Sequence, residues 1–281
     1  MLKCEVCFHH CDLAEGQSGL CMARECVHGE IVCANYGQIT GFALDPIEKK
    51  PLYRFYPGSR ILSVGSYGCN LRCPFCQNYS ISYDKLDAAK AQATYISPEQ
   101  LAELAMHYVP EGNIGVAFTY NEPLVGYEYV LDAAALVKER GLSTVLVSNG
   151  TAELSILERL LPVIDAMNID LKGFSDRFYS SFVGGDRAMV MNFIERAATD
   201  CHLEITTLVI PGENDDPAEI EALAAYLAEL GRKNHVEIPL HLTRFFPRYH
   251  LTDRPPTDVE TLFSLAELAR KHLQYVYVGN V

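Results

Sequence analysis

From Ile61 onward, hydrophobic residues gather in short runs separated by longer stretches in which they recur every third or fourth position. The runs are "ILSVGS" (61–66), "IGVAFTY" (114–120), "STVLVSN" (143–149), "AMNIDL" (166–171), "LEITTLVI" (203–210), "VEIPLHL" (236–242) and "YVYVG" (275–279). Most are rich in β-branched or aromatic residues, and all are of strand length. The stretches at 98–109, 124–140, 154–161, 187–199, 217–230 and 258–272 carry the helical period instead. Two of these open on strong start signals: "SPEQLAEL" has Ser97 before Pro98, and "DDPAEIEALAAYLAEL" has Asp216 before Pro217. Strand and helix patterns that alternate in this way predict a parallel sheet with right-handed crossovers. Five or six such units over about 220 residues suit a partial or full (β/α) barrel. A doubly wound open sheet is the alternative.

Residues 1–50 follow a different pattern. They are rich in Cys, Gly and His, with short apolar pieces such as "EIVCANYGQITGFALD". A segment this small rarely supports a core alone, so a metal-stapled module with a few short strands is expected over 1–50, and the barrel over 51–281. "DPIEKKPLYRFYPGSR" (45–60) reads as a polar, proline-punctuated connector between them.

Charge narrows the function classes. The net charge of −13 argues against a general nucleic-acid binder, which needs a positive surface for phosphates. No apolar run reaches membrane-spanning length, and "MLKCEVCFHHC" has no apolar signal region, so a cytoplasmic location is expected. In that reducing compartment ten cysteines are not a disulfide framework. Nine of them lie between Cys4 and Cys76, and clustering of that kind indicates metal binding.

The densest group is "GCNLRCPFC", in which Cys69, Cys73 and Cys76 are spaced C-x3-C-x2-C directly after the first barrel strand. In a barrel this is the C-terminal face of the strands, where active sites lie. Thiolates suit both zinc and iron–sulfur clusters. One reading is a structural zinc site completed by a distant ligand such as His107 or Cys201. The other is a [4Fe–4S] cluster held by three thiolates, with its fourth iron open.

C-x3-C-x2-C after the first strand, with Phe75 before the last cysteine, resembles the signature of radical S-adenosylmethionine (SAM) enzymes. "DPIEKKPLYRFYPGSRILSVGSYGCNLRCPFCQNYSIS" is similar to the members related to pyruvate formate-lyase activating enzyme, and "CEVCFHHCDLAEGQSGLCMAR" fits their AmmeMemoRadiSam branch. Cys26 is a cysteine the branch does not lead one to expect. The resemblance implies a partial (β/α)6-type TIM barrel with a small Cys-rich N-terminal module. It implies a [4Fe–4S] cluster on Cys69, Cys73 and Cys76 whose fourth iron takes the amino and carboxylate groups of SAM. Reductive cleavage of SAM then gives a 5′-deoxyadenosyl radical that abstracts hydrogen from a protein or small-molecule substrate.

The same resemblance marks further residues. "FTYNEP" (118–123) occupies the place of the motif that binds the SAM amino group, so Asn121 and Glu122 become cofactor-binding candidates, with Glu122 accepting from the ammonium. Asn149 in "VSNG" is a candidate for the SAM ribose or carboxylate, against plain turn chemistry. Asp170 and Lys172 in "IDLKGF" alternate on a strand end and so face one side. They are candidates for catalysis and SAM binding, against a structural ion pair. His241 and Arg244 in "HLTRFFPRY" are substrate-pocket candidates, and "VIPGEND" (209–215) resembles a loop over the site. The implied electron donor is ferredoxin or flavodoxin. The implied partners are a glycyl-radical enzyme or AMMECR-like and Memo-like proteins.

Cys4, Cys7, Cys11 and Cys21 form C-x2-C-x3-C-x9-C, enough thiolates for a tetrahedral zinc or an auxiliary iron–sulfur cluster. Against all of these enzymatic readings stands a non-catalytic iron–sulfur or zinc protein, serving as a scaffold or electron carrier.

Overall fold

The computed structural model describes residues 1–83 and 86–281. The eight strands of its main sheet lie side by side in the order in which they occur along the chain. The first, β1 (Gly41–Pro46), is antiparallel to β2 (Arg60–Gly65). Next come β3 (Asn113–Phe118), β4 (Ser143–Ser148), β5 (Ala166–Asp170), β6 (His202–Val209), β7 (Leu240–Arg244) and β8 (Val276–Gly279), each parallel to the strand before it. Among the described residues, each of the six parallel crossovers enters its next strand after one of the helices α1 (Pro98–His107), α2 (Tyr127–Glu139), α3 (Leu154–Leu160), α4 (Arg187–Ala197), α5 (Pro217–Asn234) and α6 (Val259–Ala269), and the first crossover also carries the short helices Tyr79–Ser82 and Leu86–Gln92. A right-handed crossover between neighbouring parallel strands puts its helix on one set face, and an order that never reverses puts all six on the same face. The sheet is therefore wound once, as in a barrel, and the doubly wound alternative with its reversal point is excluded. Among the described residues β8 does not pair with β1, so the barrel is open.

The helices start where the sequence signals them. Ser97 accepts from the Gln100 N–H while the Gln100 side chain accepts from the Ser97 N–H, a reciprocal cap with Pro98 at the first helical position. Asp216, Asp186 and Asp258 cap α5, α4 and α6 in the simpler one-way form. The apolar stripes of these helices, including Leu101, Val130, Ala134, Leu157, Phe193, Leu223 and Leu265, are buried in one core with Val116, Leu146, Met167, Ile205 and Leu242 from the strands.

Three elements differ from the expectation. The segment expected as a strand from Val236 enters the sheet only at Leu240, since Pro239 has no N–H to donate and serves through its carbonyl to Ile205. The helix expected from Leu124 begins with a tight turn, Pro123–Gly126, before α2 proper. The connector 45–60 is not simply polar. Asp45 and Pro46 complete β1, and Ile47 and Leu52 are fully buried against Ile61, Ala117, Val145 and Ala166, where they fill the open barrel's interior. Isolated apolar residues among charged ones carry no period, so the pattern hides this plug.

The N-terminal segment folds as short antiparallel pairs, Leu2–Lys3 with Asp12–Leu13 and Arg24–Val27 with Glu30–Cys33. It lies against the loop after β2. The Cys69 N–H donates to the Cys21 carbonyl at 3.2 Å. Gly68 has φ +94, and a Cβ there would lie 2.6 Å from that same Cys21 oxygen, so only glycine fits.

Candidate functional site

The loop that leaves β2 carries Cys69, Cys73 and Cys76 at the C-terminal end of the sheet. Their side chains line a cavity of about 590 Å³, a size ordinary for a small-molecule site. The same cavity is lined by Phe75, Asn121, Glu122, Asn149, Asp170, Lys172 and His241, so every barrel residue expected at the site except Arg244 reaches it. Arg244 instead donates through Nε to the Thr257 carbonyl at 2.7 Å, with its guanidinium over Phe246. Pro211 and Gly212 form a turn outside the lining, fixed by Arg254 and Asp215.

Burial pushes the Cys73 thiol up to about 12 and the Cys69 thiol well above its usual range, the nearby Glu122 adding to the latter. Thiols in this state ionise only when a cation joins them. The Leu71 N–H already donates to Cys69 Sγ at 3.4 Å. Among the described residues no three Cys, His, Asp or Glu side chains have the arrangement of ligands around a single ion. A cubane cluster asks for something else, because each thiolate binds a different iron and the sulfurs stand apart. Distant completion of a zinc site is also unsupported. His107 is exposed at the end of α1, and Cys201 lies directly before β6, at the N-terminal end of the strands and so opposite the cysteine loop.

Glu122 follows β3 and is 2% exposed. Its Oε1 accepts from the Leu124 N–H at 3.0 Å and the Ser148 hydroxyl at 2.7 Å, and its Oε2 from the Asn149 N–H at 2.8 Å. A carboxylate can accept about four hydrogen bonds, so one position on Oε2 is left for a ligand. Burial raises its pKa to about 7; the three donors oppose that shift and the Asp170 charge adds to it.

Asn121 works differently. Its Oδ1 accepts from Ser66 N–H at 2.9 Å, and its Nδ2 donates to the Tyr67 and Gly68 carbonyls at 3.1 Å. The amide thus clamps the backbone just before the cysteine loop. Asn149 after β4 donates to Asn70 Oδ1 at 2.9 Å and reaches Cys69 Sγ at 3.8 Å.

Asp170 ends β5, and Lys172 Nζ donates to its Oδ2 at 2.9 Å. Burial alone would depress the lysine, but Asp170 and Cys73 hold its pKa above the usual value, so it stays a cation. Two of its three N–H donors remain for an anion in the cavity. Phe75 is 7% exposed and stacks on Phe182.

His241 on β7 points to a residue that pattern reading passed over. Its Nε2 meets Glu204 Oε2 at 2.6 Å, and His202 Nε2 meets Oε1 at 2.9 Å. The Tyr53 and Arg54 N–H groups donate to the same carboxylate. Burial works against ionising Glu204, yet these donors, His202 and His241 foremost, hold it down at about 2. The signal was present: a glutamate inside the apolar run "LEITTLVI" has to be paired. Asn70 was also missed. It lies between Cys69 and Cys73, donates to the Thr151 carbonyl and receives Asn149, so it ties the cysteine loop to the end of β4.

The four N-terminal cysteines come together as well. Cys4, Cys7, Cys11 and Cys21 line one small void with His9 and His10.

Residues 63–227 match the model of the Radical SAM superfamily. An uncharacterized protein of Methanocaldococcus jannaschii is 39% identical over 283 residues, an alignment covering 100% of this chain and 81% of that one. Pyruvate formate-lyase 1-activating enzyme of Escherichia coli is 25% identical, over 66% of this chain and 75% of its own. A domain of pyruvate-formate lyase-activating enzyme from Bacteroides vulgatus shares the fold, with TM-score 0.50 and 22% identity over 59% of this chain and 99% of its own. No described helix is long and apolar enough to cross a membrane. With the matched segment spanning β2 through most of α5, and with three cysteines of one loop lining a cavity at the strand ends, this chain belongs to the radical SAM superfamily and is related to glycyl-radical enzyme activases.

Proposed function

We propose that this protein reductively cleaves SAM on a [4Fe–4S] cluster held by Cys69, Cys73 and Cys76, and that its substrate is another protein, as for an activating enzyme. The observation that carries the reading is the shared cavity: three thiols, a carboxyl with one free acceptor position and a lysine with two free donors line one space of about 590 Å³. The residues fit the group. The buried thiols of Cys69 and Cys73 need a cation to ionise, and the SAM amino and carboxylate groups have partners of opposite charge in Glu122 and Lys172. When bound, the cluster and SAM supply one-electron reductive cleavage to a 5′-deoxyadenosyl radical and methionine.

The chain's own residues bind and orient. Glu122 accepts from the ammonium through Oε2 while Ser148, Leu124 and Asn149 fix its carboxyl plane. Asp170 orients Lys172 toward the SAM carboxylate. Asn149 and Asn70 hold the cysteine loop against the end of β4. The buried ring of Phe75 against Phe182 keeps water from the thiolates on one side. Ferredoxin or flavodoxin is the electron donor in this reading, and a glycyl-radical enzyme is the protein substrate suggested by the activating-enzyme relatives. AMMECR-like and Memo-like proteins are the further partners that the N-terminal motif suggests. A second metal on the N-terminal cysteines belongs to the same reading.

The test is anaerobic reconstitution with iron and sulfide, then dithionite and SAM, with 5′-deoxyadenosine followed by chromatography and the cluster by EPR. Formation of 5′-deoxyadenosine by the native chain and its loss in Cys73→Ala are expected. A loaded cluster whose EPR signal ignores SAM, with no cleavage, would turn the assignment to an electron carrier or scaffold. Incubation with a glycyl-radical enzyme and EPR detection of a stable glycyl radical tests the substrate class.

A further inference from the structure

The surface over the cysteine loop differs in charge from the rest of the molecule. Residues 69–83, 178–185 and 244–251 meet there. The Arg72 N–H donates to the Val183 carbonyl at 2.8 Å, and Phe75 stacks on Phe182. The His250 and Leu251 N–H groups donate to the Pro74 carbonyl at 2.9 and 3.1 Å, and Tyr249 stacks on Tyr79 with ring centres 4.6 Å apart. Pro74 follows Cys73 directly, so the turn that pairs Arg248 with Leu251 is bonded to the backbone carrying the thiols.

These segments hold Arg72, Arg244 and Arg248 and neither Asp nor Glu, in a chain of net charge −13. Arg72 donates to the Cys69, Leu71 and Leu20 carbonyls and Arg244 to the Thr257 carbonyl, so neither is neutralised by a carboxylate. Arg248 is exposed and makes no ion pair among the described residues. The nearest acidic residues along the second and third segments have partners of their own: Asp176 meets Arg187 at 2.7 Å, Asp186 accepts from the Met189 N–H at 3.1 Å, and Asp253 meets Arg254 at 3.0 Å. Asp84 and Lys85 follow the first segment, outside the described residues, with charges that offset each other.

An apolar anchor belongs to the same patch. Phe246 is 49% exposed, and the Arg244 guanidinium lies 5.0 Å from its ring centre. Exposed aromatics beside arginine are the residue types that carry binding energy at protein interfaces. Neither Phe246, Arg248 nor His250 lines the cavity, so the patch is separate from the proposed SAM pocket. Position and charge together select the occupant. A substrate has to enter the cavity, whereas an electron has only to come close to the thiols. An acidic protein is repelled by most of a surface of net charge −13 and is drawn to the place where the sign reverses.

We infer that this patch is the docking surface of a small acidic electron-transfer protein, built on Arg244, Phe246 and Arg248 after β7 and on Arg72 of the cysteine loop. The inference rests on the reading that Cys69, Cys73 and Cys76 hold a cluster, and it names the surface through which the electron arrives. One electron leaves the donor, which is oxidised, and the cluster is reduced by that electron; no bond forms or breaks. Because Pro74 is bonded to the turn at 248–251, a protein seated on Phe246 and Arg248 lies against the backbone between Cys73 and Cys76.

The test sets the full chain, with its cluster reconstituted, against two probes, an acidic flavodoxin and an acidic ferredoxin. Binding of each oxidised probe is followed by calorimetry at low and high salt, and reduction of the cluster by each reduced probe is followed by stopped-flow absorption. Arg248→Glu is expected to weaken binding and slow reduction by about tenfold at low salt, with the difference shrinking as salt is added. Phe246→Ala is expected to weaken binding at both salts. Lys233→Glu makes the same change of net charge at the exposed end of α5, which leads to the N-terminal end of β7 opposite the cysteine loop, and is expected to move neither readout. SAM cleavage driven by dithionite, which needs no docking, is unchanged in all three variants. Binding of neither probe, an Arg248→Glu chain that binds as the native one does, or a Lys233→Glu effect as large as that of Arg248→Glu would overturn the docking surface. Failure of the native chain to cleave SAM with dithionite would overturn the cluster reading instead, and the binding measurements still decide the surface.

Discussion

Glu122 makes the proposed SAM site testable without a substrate. Its pKa is raised to about 7, chiefly by burial, and the ammonium of SAM is a ligand for its ionised form only. For a group with that value the ionised fraction is about nine tenths at pH 8 and about one tenth at pH 6. The apparent affinity for SAM therefore falls about tenfold between pH 8 and pH 6, about 1.4 kcal/mol. A carboxyl at its ordinary value near 4.5 stays ionised across the whole window and produces no such fall.

The assay is SAM binding by isothermal calorimetry at several pH values, with the cluster oxidised so that no cleavage occurs. The amino group of SAM itself titrates near pH 8 and adds its own slope. Glu122→Gln removes the carboxyl and leaves that slope, so the difference between native chain and variant isolates Glu122. Only the slopes are compared, because an amide facing the Asn149 N–H puts donor against donor and lowers affinity at every pH. Equal slopes in the two proteins would refute the placement of Glu122 on the ammonium and return it to a purely structural role at the end of β3.

Three other outcomes follow from the geometry. Lys172→Ala weakens SAM binding by about tenfold or more, since it removes a charge-assisted contact worth about 1.5–3 kcal/mol; unchanged affinity would leave Lys172 as a structural partner of Asp170 only. Glu204, held at about 2 against an ordinary 4.5, stabilises the fold by about 3 kcal/mol above pH 4.5 and loses that contribution as pH falls toward 2. Glu204→Gln should therefore cost about that amount in neutral-pH urea unfolding and flatten the acid limb, and equal unfolding of variant and native chain would contradict it. Gly68→Ala should destabilise by about 1–3 kcal/mol in thermal unfolding, because φ +94 and the Cys21 oxygen leave no place for a Cβ.

The barrel was legible because its elements are periodic and locally signalled. Ser97 with Pro98, and Asp216 with Pro217, mark helix starts that the structure keeps. What the pattern missed has no period. Gly41–Pro46 mixes glycine, proline and aspartate, and becomes a strand only because β2 offers it an open edge. Ile47 and Leu52 are single apolar residues among charges, and their burial depends on an interior that exists only once the barrel has formed. Propensity cannot anticipate either, since both are consequences of tertiary packing.

The site divides along the same line. Cysteines at fixed spacing identify themselves, as do charged residues at strand ends. Their supports do not, because Asn70, Ser148 and Glu204 act across 79, 26 and 37 residues of chain. Those supports decide what the visible residues can do. Glu122 sits near neutrality because β3 buries it, and it keeps one acceptor position because Leu124, Ser148 and Asn149 take the other three. Asn121, its sequence neighbour, lines the same cavity with its amide committed to the backbone of residues 66–68. Adjacent residues of one motif thus have separate tasks, one keeping an acceptor position free toward the cavity and one fixing the loop that carries the thiols. That division follows from hydrogen-bond capacity, which only the folded chain reveals.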